Sequence, residues 1–348
     1  EITTIGDMSM YGGGSNVAHP WAAPVYIHSE VAPIVVNVGG KLHVESGTGT
    51  SAPAIIGSVD NSADVAITAA NGVTLIANGS GVGIGALAPG YGASVSIHSS
   101  GSITTDSTGS KNVLIGSAGA DSYGYAFGPT NVALFGDDQL NLSAKTQVGI
   151  ANPGEHVPPG TIFLSGYNGI NAGSAAFRTG GGDFDAFSNG SITLGAINTD
   201  APWSSGLDGG AVTATSSFGS LGVASISARG ADYGGTSLGV GGSGGGGGDI
   251  TLSASYGVTL AGGRVIRRGR SGSVLCATEA GGPANRAMPG AAGAGAAPGG
   301  AVSRDTVTGP TACTPERLRS HSWGASVGLM TETAGEQGGK GAGEKGAA

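Results

Sequence analysis

The first 263 residues contain no cysteine; both cysteines of the 348-residue chain, Cys276 and Cys313, lie beyond them. No disulfide staples that body. Charge is scarce as well. Asp, Glu, Lys and Arg make up 11% of the chain, and residues 1–263 hold five Lys and Arg against 17 Asp and Glu, a net charge of −12. Such a body offers phosphates no basic surface, so nucleic acid is not an expected partner. No apolar run reaches the roughly 18 residues that cross a bilayer as a helix, and no membrane-spanning segment is expected. No stretch places apolar residues at i, i+3, i+4 and i+7, so no helix is expected in the body. The chain begins at Glu1 without a visible signal peptide, and reads as a segment of something longer.

What is abundant is glycine, 71 residues of it. Without an every-third-residue period, this excludes collagen and leaves short strands joined by many turns. Residues 241–263, GGSGGGGGDITLSASYGVTLAGG, show the unit. Ile250 and Leu252 alternate with polar residues, a turn follows, and Val258 and Leu260 repeat the pattern. Period two is that of a half-buried strand. Apolar pairs eight apart recur at Val36/Val44, Val65/Val73, Val95/Ile103, Val132/Leu140, Ile162/Ile170 and Ile250/Val258. Their starts repeat at 36, 65 and 95, and again at 132, 162 and 192, with insertions at 123–129 and 177–187. A repeat of roughly 20–50 residues implies a stacked solenoid. Coiled strands then stack Val on Val and Leu on Leu in a continuous interior, with Ile67 and Leu252 facing inward.

Three regions are expected: a cap or extension over 1–33, a repeat domain over 34–263, and a low-complexity tail over 264–348. The tail holds no Phe or Tyr, and residues 276–301 hold no Val, Ile or Leu. It lacks the apolar surface to offset chain ordering, so disorder is expected. Arg264, Arg267, Arg268 and Arg270 cluster at its start; they read as a solvated linker rather than a lipid or nucleic-acid patch.

Four segments carry the resemblance of this chain to a family: ADVAITAANGVTLIANG (63–79), ASVSIHSSGSITTDS (93–107), NVALFGDDQLNLSA (131–144) and GDITLSASYGVTLAGG (248–263). They resemble the haemagglutinin-type repeats of bacterial filamentous haemagglutinin-like exoproteins, over roughly residues 34–263. The resemblance implies an all-β fold, a right-handed parallel β-helix. It also implies secretion to the bacterial cell surface through an outer-membrane export partner, and attachment to host-cell or surface glycans or proteins. The chain departs from the family in lacking its Asn-Pro-Asn motif, of which Asn152-Pro153-Gly154 is only a partial echo.

Chemistry is sparse. Gly136-Asp137-Asp138 and Asn198-Thr199-Asp200 resemble the carboxylate motifs of polygalacturonases, which would make a polysaccharide-active β-helix enzyme the alternative reading. A hydrolase needs an acid and a base flanking one glycosidic bond, and here the motifs stand in reversed order, with Asp138 and Asp200 62 residues apart. Turn and capping roles explain them better. Asp183 and Asp185 follow a Gly triplet, and Asp249 takes the acidic place of a calcium nonapeptide, but Thr251 occupies its apolar position and no tandem copy follows. The histidines (His19, His28, His43, His98, His156 and His321) have no Cys or His partner at ligand spacing. No catalytic, cofactor-binding or metal-ligating residue is therefore assigned, no cofactor is expected, and the protein is read as a non-enzymatic adhesin scaffold. Binding is expected from loops at 123–129, 153–160, 177–187 and 202–207.

Overall fold

The computed structural model describes residues 1–14, 23–49, 51–107, 111–202, 207–231, 245–266 and 274–278. Every regular element among them is a strand. The chain winds in successive rungs. The first holds β1 (Ile2–Thr4), β2 (Met8–Tyr11) and β3 (Val25–His28); the second β4 (Ile34–Val38), β5 (Lys41–Glu45) and β6 (Ala54–Ser58). Then come β7 (Ala63–Ala69), β8 (Gly72–Ala77) and β9 (Val82–Ala86), followed by β10 (Tyr91–Ser99), β11 (Ile103–Ser107) and β12 (Val113–Gly119). A fifth rung has β13 (Phe127–Gly136), β14 (Gln139–Asn141) and β15 (Thr146–Asn152). Later rungs use two strands each, a short one and a longer one: β16 (Ile162–Gly166) with β17 (Gly169–Arg178), β18 (Phe184–Ser188) with β19 (Ile192–Asn198), β20 (Val212–Ser216) with β21 (Leu221–Ser227), and β22 (Ile250–Ala254) with β23 (Val258–Ile266). The last described strand is β24 (Val274–Thr278).

Each strand pairs with its equivalent one rung on, in parallel, and among the described residues a single antiparallel bridge joins Tyr91 to Gly119. Three walls result. The first stacks β1, β4, β7, β10, β13, β16, β18, β20, β22 and β24. The second begins β2, β5, β8, β11, β14, and the third β3, β6, β9, β12, β15. From β17 onward one strand serves both of these walls, as β17 pairs with β14 through its first half and with β15 through its second. The fold is a parallel β-helix.

Burial follows the alternation. On the first wall Val36, Ile67, Ile97, Leu134 and Leu164 form one inward column, each at most 1% exposed. The eight-residue pairs are the step around the corner from first wall to second: Val65 lies on β7 and Val73 on β8. In two rungs that corner is capped by a serine. Ser99 Oγ accepts the Gly101 amide at 3.1 Å and Ser188 Oγ accepts the Gly190 amide at 3.0 Å, so half-buried turn amides keep a partner.

The register corrects three expectations. Val65 stacks on Ile34, not on Val36, whose partner is Ile67. Ile192 is not a first-wall residue: it stacks between Ile170 and Leu221 on the second wall, and Ile162 is followed by Phe184, 22 residues on. That rung is short because β17 bends through a bulge between Ala172 and Ala176 in place of a loop. Finally, the ladder passes the composition break after Gly263: β23 runs to Ile266, and β24 stacks on β22. Within 1–33, expected as a cap or extension, the strands β1, β2 and β3 pair in register with the next rung. The tail beyond Thr278 lies outside the described residues.

Candidate functional site

The outward face of the first wall is mostly Ala, Ser and Thr. Four successive rungs break that pattern. His98, Phe135 and Phe187 occupy one outward column (His98 against Phe135, Phe135 against Ser165, Ser165 against Phe187), and Phe163 stands in the neighbouring column, against Ala133 and Asp185. Their strands alternate because Ile97, Leu134, Leu164 and Ala186 point into the core. Phe163 is 37% and Phe187 43% exposed. Phe135 and Phe163 lie with ring centroids 5.2 Å apart, and His98 meets Phe135 edge-on at 6.2 Å. His98 Nε2 is 3.5 Å from Asp137 Oδ1. Such aromatic neighbours support the ladder by about 0.5–1.5 kcal/mol, yet their outer faces remain in solvent. This aromatic ridge, bordered by carboxylate and hydroxyl groups, is the candidate contact surface.

Two grooves lie apart from it, at the edge between the third and first walls. One, of about 610 Å³, is lined by residues of four rungs, including Glu30, Asp64, Tyr91, Phe127 and Asn131. Phe127 is 70% exposed and tilts against Tyr91 at 6.4 Å. The second, of about 560 Å³, lies among Tyr123, Glu155, Asn198, Asp200 and Arg229.

Of the loops expected to bind, 123–129 and 153–160 come together. Tyr125 bridges to His156 and stacks on its ring at 4.4 Å, and Ala120, Ala126, Ile150 and Val157 make a small buried cluster beneath them. The segment 177–187 is not a projecting loop. Phe177 and Phe184 are fully buried with rings 5.2 Å apart, filling the core where the short rung closes. In 202–207, residues 203–206 lie outside the described residues.

Asp138 and Asp200 are not brought together. Asp138 sits at the corner between the first and second walls. Asn168 Nδ2 donates to its Oδ1 at 2.9 Å and Ser102 Oγ to its Oδ2 at 2.7 Å, bridging three rungs. Asp200 follows β19 at the far end of the third wall. Its Oδ2 accepts from Arg229 Nη2 at 2.7 Å and Nε at 2.9 Å, and its Oδ1 from Ser227 Oγ at 2.7 Å. Both carboxylates act as rivets between rungs. Asp183 does the same, its Oδ1 accepting the Ala211 amide at 2.8 Å, while the Asp249 carbonyl accepts from Val212. Residues Arg267, Arg268 and Arg270 lie outside the described residues.

The hydrogen bonds from Asn168 and then Ser102 hold the Asp138 carboxyl below its ordinary value of 3.8, against a small opposing effect of desolvation. A lowered folded-state pKa means that Asp138 supports the fold above 3.8 and ceases to as the pH falls through its lowered value. Carboxyl carbon NMR should give a midpoint below 3.8 that rises in Asn168→Ala; a midpoint unmoved by that change contradicts the assignment.

One constellation escaped the sequence spacing altogether. His28, Glu30 and Asp60 offer ligand atoms all within 4.8 Å of one another. His28 and Asp60 are 32 residues apart in sequence and meet only because their rungs are neighbours.

No family model, no curated protein and no solved structure matches the chain.

Proposed function

We propose that the protein is a non-enzymatic segment of a secreted, surface-exposed bacterial adhesin, a stiff β-helical scaffold that attaches to glycans through its first wall. The observation that carries this reading is the ridge of His98, Phe135, Phe163 and Phe187 on consecutive rungs. Aromatic faces pack against the C–H faces of sugar rings, and neighbouring Asp, Ser and Thr groups accept or donate to hydroxyls. Rungs repeat at about 4.8 Å, so a polymeric ligand lying along the wall meets several weak contacts at once. The resemblance of residues 34–263 to haemagglutinin-type repeats supports the same reading, and with it an outer-membrane export partner.

The test is retention of the purified chain on a panel of immobilised polysaccharides and host glycans. The triple variant Phe135→Ala/Phe163→Ala/Phe187→Ala should lose at least about tenfold in retention, given about 0.5–1.5 kcal/mol for each aromatic contact, with its strand circular dichroism kept. Retention unaltered by the triple change, or absent on every glycan, rejects the proposal. Release of reducing ends by the purified chain, abolished in Asp200→Asn or Asp138→Asn, would favour the polysaccharide-active alternative.

A further inference from the structure

We propose that His28, Glu30 and Asp60 form a three-ligand site for a divalent transition ion, with Zn²⁺ as its representative. His28 ends β3 and stacks on Gly57 of β6; Glu30 lies in the turn that follows, and Asp60 in the equivalent turn one rung on. The spacing of parallel rungs, about 4.8 Å, brings donors from consecutive turns to within reach of one ion. His28 Nε2 and Glu30 Oε1 are 3.9 Å apart, and all three donor atoms lie within 4.8 Å. Two bonds of about 2.0–2.2 Å to a zinc ion span at most some 4.3 Å. The first pair already fits, and exposed carboxylates close the remaining few tenths of an ångström by side-chain rotation.

A separate contact prepares the imidazole. His28 Nδ1 lies 3.1 Å from the Gly57 carbonyl oxygen, which accepts only if Nδ1 carries the proton. The lone pair is then on Nε2, the nitrogen facing Glu30. Anchoring of the distal ring nitrogen on a backbone carbonyl is how ligating histidines are oriented. Ser58 holds the opposite turn: its Oγ accepts from the Asp60 amide at 3.3 Å and the Asn61 amide at 2.9 Å. A nitrogen donor with two carboxylates suits Zn²⁺ better than the all-oxygen preference of Ca²⁺ or Mg²⁺. Glu30 also lines the groove that holds Tyr91 and Phe127, which places the site at the rim of that groove.

The experiment is titration of the full chain with Zn²⁺ against a chromogenic chelator, together with nitrogen-15 NMR of the histidine rings. One equivalent of Zn²⁺ should bind at the site, shift His28 Nε2 and leave Nδ1 protonated. His28→Ala and Asp60→Asn should each weaken uptake at least about tenfold, since even outer-shell losses cost 10–100-fold. His43→Ala, on another wall, should leave it unaltered, and excess Ca²⁺ should not displace the ion. Absence of saturable uptake, uptake indifferent to His28→Ala, or an ion seated at Nδ1 overturns the proposal. A change in circular dichroism with His28→Ala would point to loss of the Gly57 contact; the Asp60→Asn result then decides alone.

Discussion

Ile67→Asp should melt the helix locally and lower the unfolding transition more than any other single change considered. Ile67 is 1% exposed and stacks between Val36 and Ile97. Removing the side chain forfeits about 1.5–3 kcal/mol of burial. A carboxylate without a partner in that column adds a desolvation penalty of several kcal/mol, for a total on the order of 5 kcal/mol. Because each rung is supported by its two neighbours, the loss spreads to β4 and β10. Amide exchange should therefore rise first in β4, β7 and β10, ahead of the distant rungs. Thr68→Asp, one residue along and facing solvent, should move stability by no more than about 0.5 kcal/mol. A melting curve for Ile67→Asp that superimposes on the parent would mean that this column does not face the interior.

Gly85→Ala should be nearly as damaging although it adds a single methyl group. Gly57, Gly85, Gly116 and Gly149 stack directly on one another along the third wall. Gly85 has φ +124° and Gly116 +135°, a region that residues with a Cβ rarely adopt. A Cβ on Gly85 would also be driven into the carbonyl oxygen of Gly116, far inside van der Waals contact. The backbone strain alone costs about 1–3 kcal/mol, and the clash requires neighbouring rungs to separate. The melting temperature should fall by several degrees, roughly 2–4 °C for each kcal/mol in a domain of this size. Gly6→Ala is the control, since nothing lies within 4 Å of a Cβ there. Equal melting of the two variants would show that the glycine column tolerates side chains.

The strand segments were legible because a two-residue alternation has one meaning when one face is buried. Val95, Ile97, Val132 and Leu134 are inward as their spacing required. The eight-residue step was legible for a similar reason: a tight corner fixes how many residues separate two inward positions. The rung length was not. It varies as corners are looped, serine-capped or bulged, so that a constant period of 30 misplaced Ile192 by a whole wall and Val36 by two residues. Phe177 and Phe184 looked like the rim of an exposed loop because aromatics between glycines carry no sign of which way they point. The isoleucine-glycine recurrence at 56–57, 84–85 and 115–116 was open to view, but its significance depends on knowing that those glycines are vertical neighbours.

By itself, then, the sequence determined the class of fold, the inward and outward sense of most first-wall strands, and the absence of a helix pattern. These are local properties, set by alternation and glycine content over a few residues. The tertiary structure decided register, and register decides which side chains become neighbours across 20–40 positions of chain. The aromatic ridge, the Ser102–Asp138–Asn168 rivet, the glycine column and the His28–Glu30–Asp60 cluster all consist of residues distant in sequence. They are brought together by the vertical repeat of about 4.8 Å, a distance that no linear spacing encodes once the turns differ in length.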